Sequence, residues 1–236
     1  MKKVSIVMLV FVMALSQACT EKVSKKEIVK ETISEKKESA KITESDVIFE
    51  NLDQALSPFE DLTEFALAKN DKGIQKSLSK IDNTAKNNVF TDHLKPESIM
   101  VLNEKIAALK KYFKKRDYAK TALTSTEIFN YNVSNFKDAS KIENQIKIEH
   151  LDYLGFKILA LIDQKKIDWK NIEHTTKNVE QVWKSLSTEV KDSNLKASFN
   201  LLFDGIHLSV KEKNKKMAAI FANMVLDLVD VLENTF

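Results

Sequence analysis

The sequence predicts an all-α fold of about eight antiparallel helices arranged as four helical hairpins. Three observations carry this expectation. Gly and Pro number three and two in 236 residues, too few for the turns of a sandwich or barrel. From position 46 onward, apolar residues recur at steps of three and four, the spacing of one helix face. Short polar segments holding Asp or Asn separate these runs, and such side chains accept the free amide hydrogens of a helix start.

The elements follow in order. A first helix is expected near 46–69, bent or broken at Ser57-Pro58, where Ser57 would cap, Pro58 take the first helical position and Glu60 stand three after the cap. A second covers 72–88. Pro96 with Glu97 marks the start of a third, 96–114, striped by Ile99, Leu102, Ile106, Leu109 and Phe113. A fourth spans 117–134. The fifth, 140–164, carries Leu151, Leu154, Ile158 and Leu161; the sixth, 168–188, carries Ile172, Val179, Trp183 and Leu186. The seventh, 192–211, is striped by Leu195, Phe199, Leu202, Ile206 and Val210. The eighth, 214–234, is apolar over much of its circumference, at Ile220, Phe221, Met224, Val225, Leu228, Val229 and Leu232. Such a helix is expected to be buried from more than one side, which favours a compact bundle over a short open helical-repeat array.

The hairpins look related. "AKNDKGI" (68–74), "KKRDYAK" (114–120), "KKIDWKN" (165–171) and "EKNKKMA" (212–218) each separate two apolar-periodic segments, and Asp71, Asp117, Asp168 and Asn214 lie 46, 51 and 46 residues apart. That period is longer than a tetratricopeptide repeat and the small-residue signature of those arrays is missing, so no family is assigned to the domain.

The N-terminus has a different character. Lys2 and Lys3 precede an apolar run from Val4 to Leu15, then Ser16, Gln17, Ala18 and the single cysteine, Cys19. The run is too short to span a bilayer and has the layout of a cleaved signal peptide, residues 1–18. Ser16-Gln17-Ala18-Cys19 resembles the lipobox of bacterial lipoprotein precursors. The resemblance implies that Cys19 is lipidated and begins the mature chain, which acyl chains then hold on a membrane of the cell envelope, facing the periplasm or the surface. With no second thiol for a disulfide, a lipid site fits the cysteine better than a structural role; an ordinary cleaved signal is the competing reading. Residues 19–45 follow as a charged tether, because "TEKVSKKEIVKETISEKKESAKITES" mixes Lys and Glu without an aromatic residue. The helical domain occupies 46–236.

Chemical motifs are scarce. Gly73, Gly155 and Gly205 are isolated, so no phosphate loop is present, and no Gly-x-Ser-x-Gly elbow occurs. The histidines are His93, His150, His174 and His207; only Asp204 with His207 forms an i, i+3 pair of ligand type, short of a dimetal bundle's two Glu-x-x-His pairs. Haem lacks a Cys-x-x-Cys-His site, although His150 or His207 could ligate it. Metal and cofactor are therefore not expected, and neither is catalysis. The formal charge of +3 is small and spread along the chain, and with an export signal it argues against nucleic acid. Tyr112, Tyr118, Tyr131, Tyr153, Trp169 and Trp183 could line a groove, with Trp183 at core spacing. Tyr118 and Trp169, beside the turn lysines Lys114, Lys115, Lys165 and Lys166, are the expected partner contacts. The expectation is a lipid-anchored, non-catalytic envelope lipoprotein serving as a binding, scaffold or accessory module for an envelope protein. The alternative is a periplasmic helical bundle carrying a small ligand, metal or haem.

Overall fold

The structure is a computed structural model that describes residues 43–236. The expected signal peptide, Cys19 and nearly all of the expected tether lie outside the described residues. Those described are all-α, with nine helices: α1 (Glu44–Leu67), α2 (Asp71–Lys86), α3 (Val89–His93), α4 (Ile99–Lys114), α5 (Tyr118–Ser134), α6 (Glu143–Ile162), α7 (Trp169–Leu186), α8 (Ser193–Lys211) and α9 (Lys215–Glu233). Single 3-10 turns stand at Pro96–Ser98 and Ala139–Lys141. No helix among the described residues is long and apolar enough to cross a membrane.

Consecutive helices pack pairwise, α1 on α2, α4 on α5, α6 on α7 and α8 on α9. The pairs are joined through α1 on α5, α5 on α6 and α6 on α9, so α6 is covered by α5, α7 and α9. Every residue from Leu151 to Ile158 is consequently buried, including Asp152 and Lys157. The sequence pointed to the last helix as buried from more than one side. α9 is buried from two sides as expected, but its apolar arc is not fully enclosed: Ala218, Ala222, Val225, Val229 and Leu232 turn inward, while Ile220, Met224 and Val231 are exposed. α9 packs on α6 and α8, and no other described element covers its remaining side as extensively.

Of the bend or break expected at Ser57-Pro58, the break does not occur. α1 runs unbroken through Pro58, so Ser57 is not a cap. The proline removes one backbone donor from the helix interior, and α5 lines the region with polar side chains. Asn132 Nδ2 donates to the Ala55 carbonyl at 3.1 Å and Ser125 Oγ donates to the Phe59 carbonyl at 2.7 Å. These contacts, made by side chains 0% exposed, tie α5 to the carbonyls of the same stretch of α1.

Three interhelical turns share one geometry. Lys69, Arg116 and Lys213 adopt left-handed backbone with φ of 54°, 53° and 51°. The next residues, Asn70, Asp117 and Asn214, donate their backbone N–H to Phe65, Tyr112 and Ser209 carbonyls at 2.8, 3.1 and 2.8 Å. Each then caps the following helix with its side chain, accepting from Gly73, Lys120 and Met217 N–H. A Schellman ending thus runs directly into an N-cap. The cap of α2 is Asn70, not Asp71 as the repeat alignment had it. Asp168 caps α7 without a left-handed residue before it, at the end of a longer connection.

Candidate functional site: a polar cleft over helix α6

α5 and α7 both pack on α6, and a cleft of about 670 Å³ lies among the three. Its floor is the α6 row His150, Tyr153 and Lys157, spaced i, i+3, i+7 and so on one helix face. One wall is the α5 row Leu123, Glu127, Asn130 and Ser134, and the other comes from α7, with Asn171, His174, Thr175, Asn178, Val179 and Val182. A cleft of this size fits a small organic ligand.

The charged part sits toward the C-terminal end of α6. Lys157 is 5% exposed and its ammonium is ion-paired with Glu127. Tyr153 Oη stands 3.5 Å from the same Glu127 carboxylate as a donor, and the Lys157 ammonium lies 5.9 Å from the Tyr153 ring centroid. Burial pushes the Lys157 ammonium down to about 8, with the Asp168 carboxylate opposing and the Lys105 ammonium adding to the shift. Burial pushes the Tyr153 phenol up to about 12, moderated by its hydrogen bond with Thr175. Burying a lone ammonium is costly, so its pairing with Glu127 is what the fold requires there.

The rest of the cleft holds no carboxylate and no ammonium group. Burial lowers the His150 imidazole below its usual value, which keeps it uncharged at pH 7. Among the described residues, the His150 ring nitrogens and the Asn130 carboxamide have no protein hydrogen-bond partner. Asn171 Oδ1 accepts from Thr175 Oγ1 at 3.4 Å and Asn178 Nδ2 lies 3.1 Å from His174 Nε2. One paired cation and anion, a neutral imidazole and several carboxamides offer donors and acceptors with no net charge.

The residues singled out from sequence lie elsewhere. Tyr118 is half-buried and donates to Asp71 Oδ1 at 2.7 Å, with Arg116 Nη2 3.5 Å from Asp71 Oδ2. Its hydroxyl therefore links two interhelical turns. Trp169 is half-buried against the core at the start of α7. Lys114 and Lys115 end α4 and Lys165 and Lys166 lie between α6 and α7, all exposed. The two turns adjoin, because Gln164 Nε2 donates to the Ala119 carbonyl at 2.8 Å. Asp204 is exposed on α8, while His207 Nε2 lies 3.2 Å from Glu180 Oε2 of α7. No group of three or more His, Cys, Asp or Glu among the described residues is placed to hold a metal ion.

Sequence reasoning passed over Glu127, Asn130, Lys157 and Asn171. One signal was available: Lys157 interrupts the apolar run "YLGFKILALI" at the register of His150 and Tyr153. Comparison of the chain with family models, with curated proteins and with solved structures finds no match.

Proposed function

We propose that the chain is a lipid-anchored cell-envelope lipoprotein whose helical domain is a non-catalytic binding module. Its binding site is the cleft among α5, α6 and α7, which takes a small polar ligand without net charge. The observation that carries this reading is the row His150, Tyr153 and Lys157 on the cleft floor, with unpartnered His150 and Asn130 facing the same space. A ligand whose hydroxyls or amides both donate and accept would satisfy these groups, and the charges already neutralise each other across Lys157 and Glu127. The ion pair also argues against Lys157 as a free nucleophile, which supports the non-catalytic reading. The anchor rests on the lipobox-like Ser16-Gln17-Ala18-Cys19.

Intact mass of the protein from host membranes tests the anchor: a chain beginning at acylated Cys19 is expected, and an unacylated product removes that part of the reading. Native mass spectrometry of the same preparation tests the cleft. An adduct of a small molecule is expected, lost in His150→Leu and in Asn130→Leu; retention in both variants excludes the cleft as its seat.

A further inference from the structure

We propose that the outer face of α8 and α9 is a self-association surface, occupied by a second copy of this chain with the two α9 helices antiparallel. This surface is separate from the cleft and stands independently of it. Five large apolar side chains are exposed here: Leu201 at 68% and Leu208 at 43% on α8, and Ile220 at 49%, Met224 at 43% and Val231 at 51% on α9. They border one seam. A Cβ on Gly205 would stand 2.3 Å from the Phe221 ring, so α8 and α9 meet closely there. Leu201 and Leu208 lie four before and three after Gly205, on its side of α8. Ile220, Met224 and Val231 are spaced four and seven apart, a single row beside Phe221. The side chains that α9 buries, Ala218, Ala222, Val225, Val229 and Leu232, point away from this row. Contiguous exposed apolar surface of this kind marks an interaction face.

Charge selects the occupant. Along the outer flank of α9, exposed Lys216 stands near the N-terminal end and exposed Asp227 and Asp230 near the C-terminal end. A two-fold axis level with position 222 sets Ile220 of one copy beside Met224 of the other. The same axis places Lys216 between Asp227 and Asp230 of the other copy, and does so twice by symmetry. A parallel pairing would oppose like charges at both ends. An isologous contact needs a self-complementary patch, and this helix has one in both its apolar row and its charges.

Sedimentation equilibrium of the full chain carrying Cys19→Ala, which removes the expected acylation, tests the proposal. The expected mass is twice the 26.9 kDa of the chain. Met224→Asp, at an exposed position, is expected to leave the helical circular dichroism unchanged and raise the dimer dissociation constant about tenfold or more. Lys216→Glu alone weakens the dimer, and adding Asp227→Lys with Asp230→Lys restores it. A monomer at the highest attainable concentration overturns the proposal, as does a dimer indifferent to Met224→Asp. Dissociation by Met224→Asp without rescue by the charge exchange overturns the antiparallel arrangement.

Discussion

Lys157 shows how far a residue's meaning depends on what surrounds it. In sequence it is one lysine among many, and a polar residue on a helix usually marks the solvated face. Its burial comes from α5 and α7 closing over α6, contacts between segments far apart in the chain, which periodicity cannot register. The consequence is measurable. With a folded value of about 8 against the usual 10.5, the unfolded chain holds more protons between those values, so this group makes stability rise with pH from about 8 to 10.5. The gain amounts to about 3 kcal/mol at most. Tyr153, pushed up to about 12 from 10.0, works in the opposite sense above pH 10, where the folded state keeps the proton. Urea unfolding at pH 8 and 10 is therefore expected to show a rise in the parent that flattens in Lys157→Met. Glu149 offers a second check. It is 8% exposed on α6, and burial, then the nearby carboxylates of Glu60, Glu233 and Asp53, push its carboxyl well above the usual range. Stability from this group falls as pH rises from the unfolded value through the folded one. Glu149→Gln is expected to raise the unfolding temperature at pH 8 and to leave it unchanged at pH 4, measured by circular dichroism.

At the scale of elements, the sequence was legible wherever local signals act alone. All-α content followed from the scarcity of Gly and Pro and from the apolar spacing, and Asp117, Asp168 and Asn214 do cap the helices they precede. α3 was missed because five residues are too few to show a period; Phe90, Leu94 and Phe136 bury it, with Lys95 N–H and Lys137 N–H bonded to the Asn135 and His93 carbonyls at 3.0 and 2.9 Å. Pro58 misled for the reason opposite to Lys157's neglect: a strong local signal is overridden where Leu52, Ala55, Leu56, Phe59 and Leu62 are buried along one continuous helix. The shared turn gives a direct test. A left-handed non-Gly residue costs free energy that Gly does not. Lys69→Gly, Arg116→Gly and Lys213→Gly are each expected to stabilise the fold by about 0.5–1 kcal/mol in urea titrations. Gly155 gives the converse. A Cβ there would stand 2.5 Å from Leu226 Cδ2 and 3.1 Å from the Ala222 carbonyl, so the Leu226 side chain and the α9 backbone would have to give way. Gly155→Ala is expected to destabilise by about 1–3 kcal/mol.

For the whole molecule, pairing of neighbouring helices leaves two features that no single helix carries. One is the cleft, formed because α5 and α7 flank the same face of α6. The other is the apolar seam of α8 and α9, foreshadowed by the wide apolar arc of the last helix. The sequence reading anticipated that this arc must be covered, and the monomer covers only part of it. Tyr118 and Trp169, both half-buried, help to join and pack the turns. The proposed activity is the binding of a small molecule in the cleft. It is tested most directly by offering the full chain an extract of small molecules from its host's envelope and reading the complex by native mass spectrometry. The expected result is one small molecule bound per chain by the parent and none by His150→Leu or Asn130→Leu. A parent that takes up nothing, or variants that bind as the parent does, would contradict it.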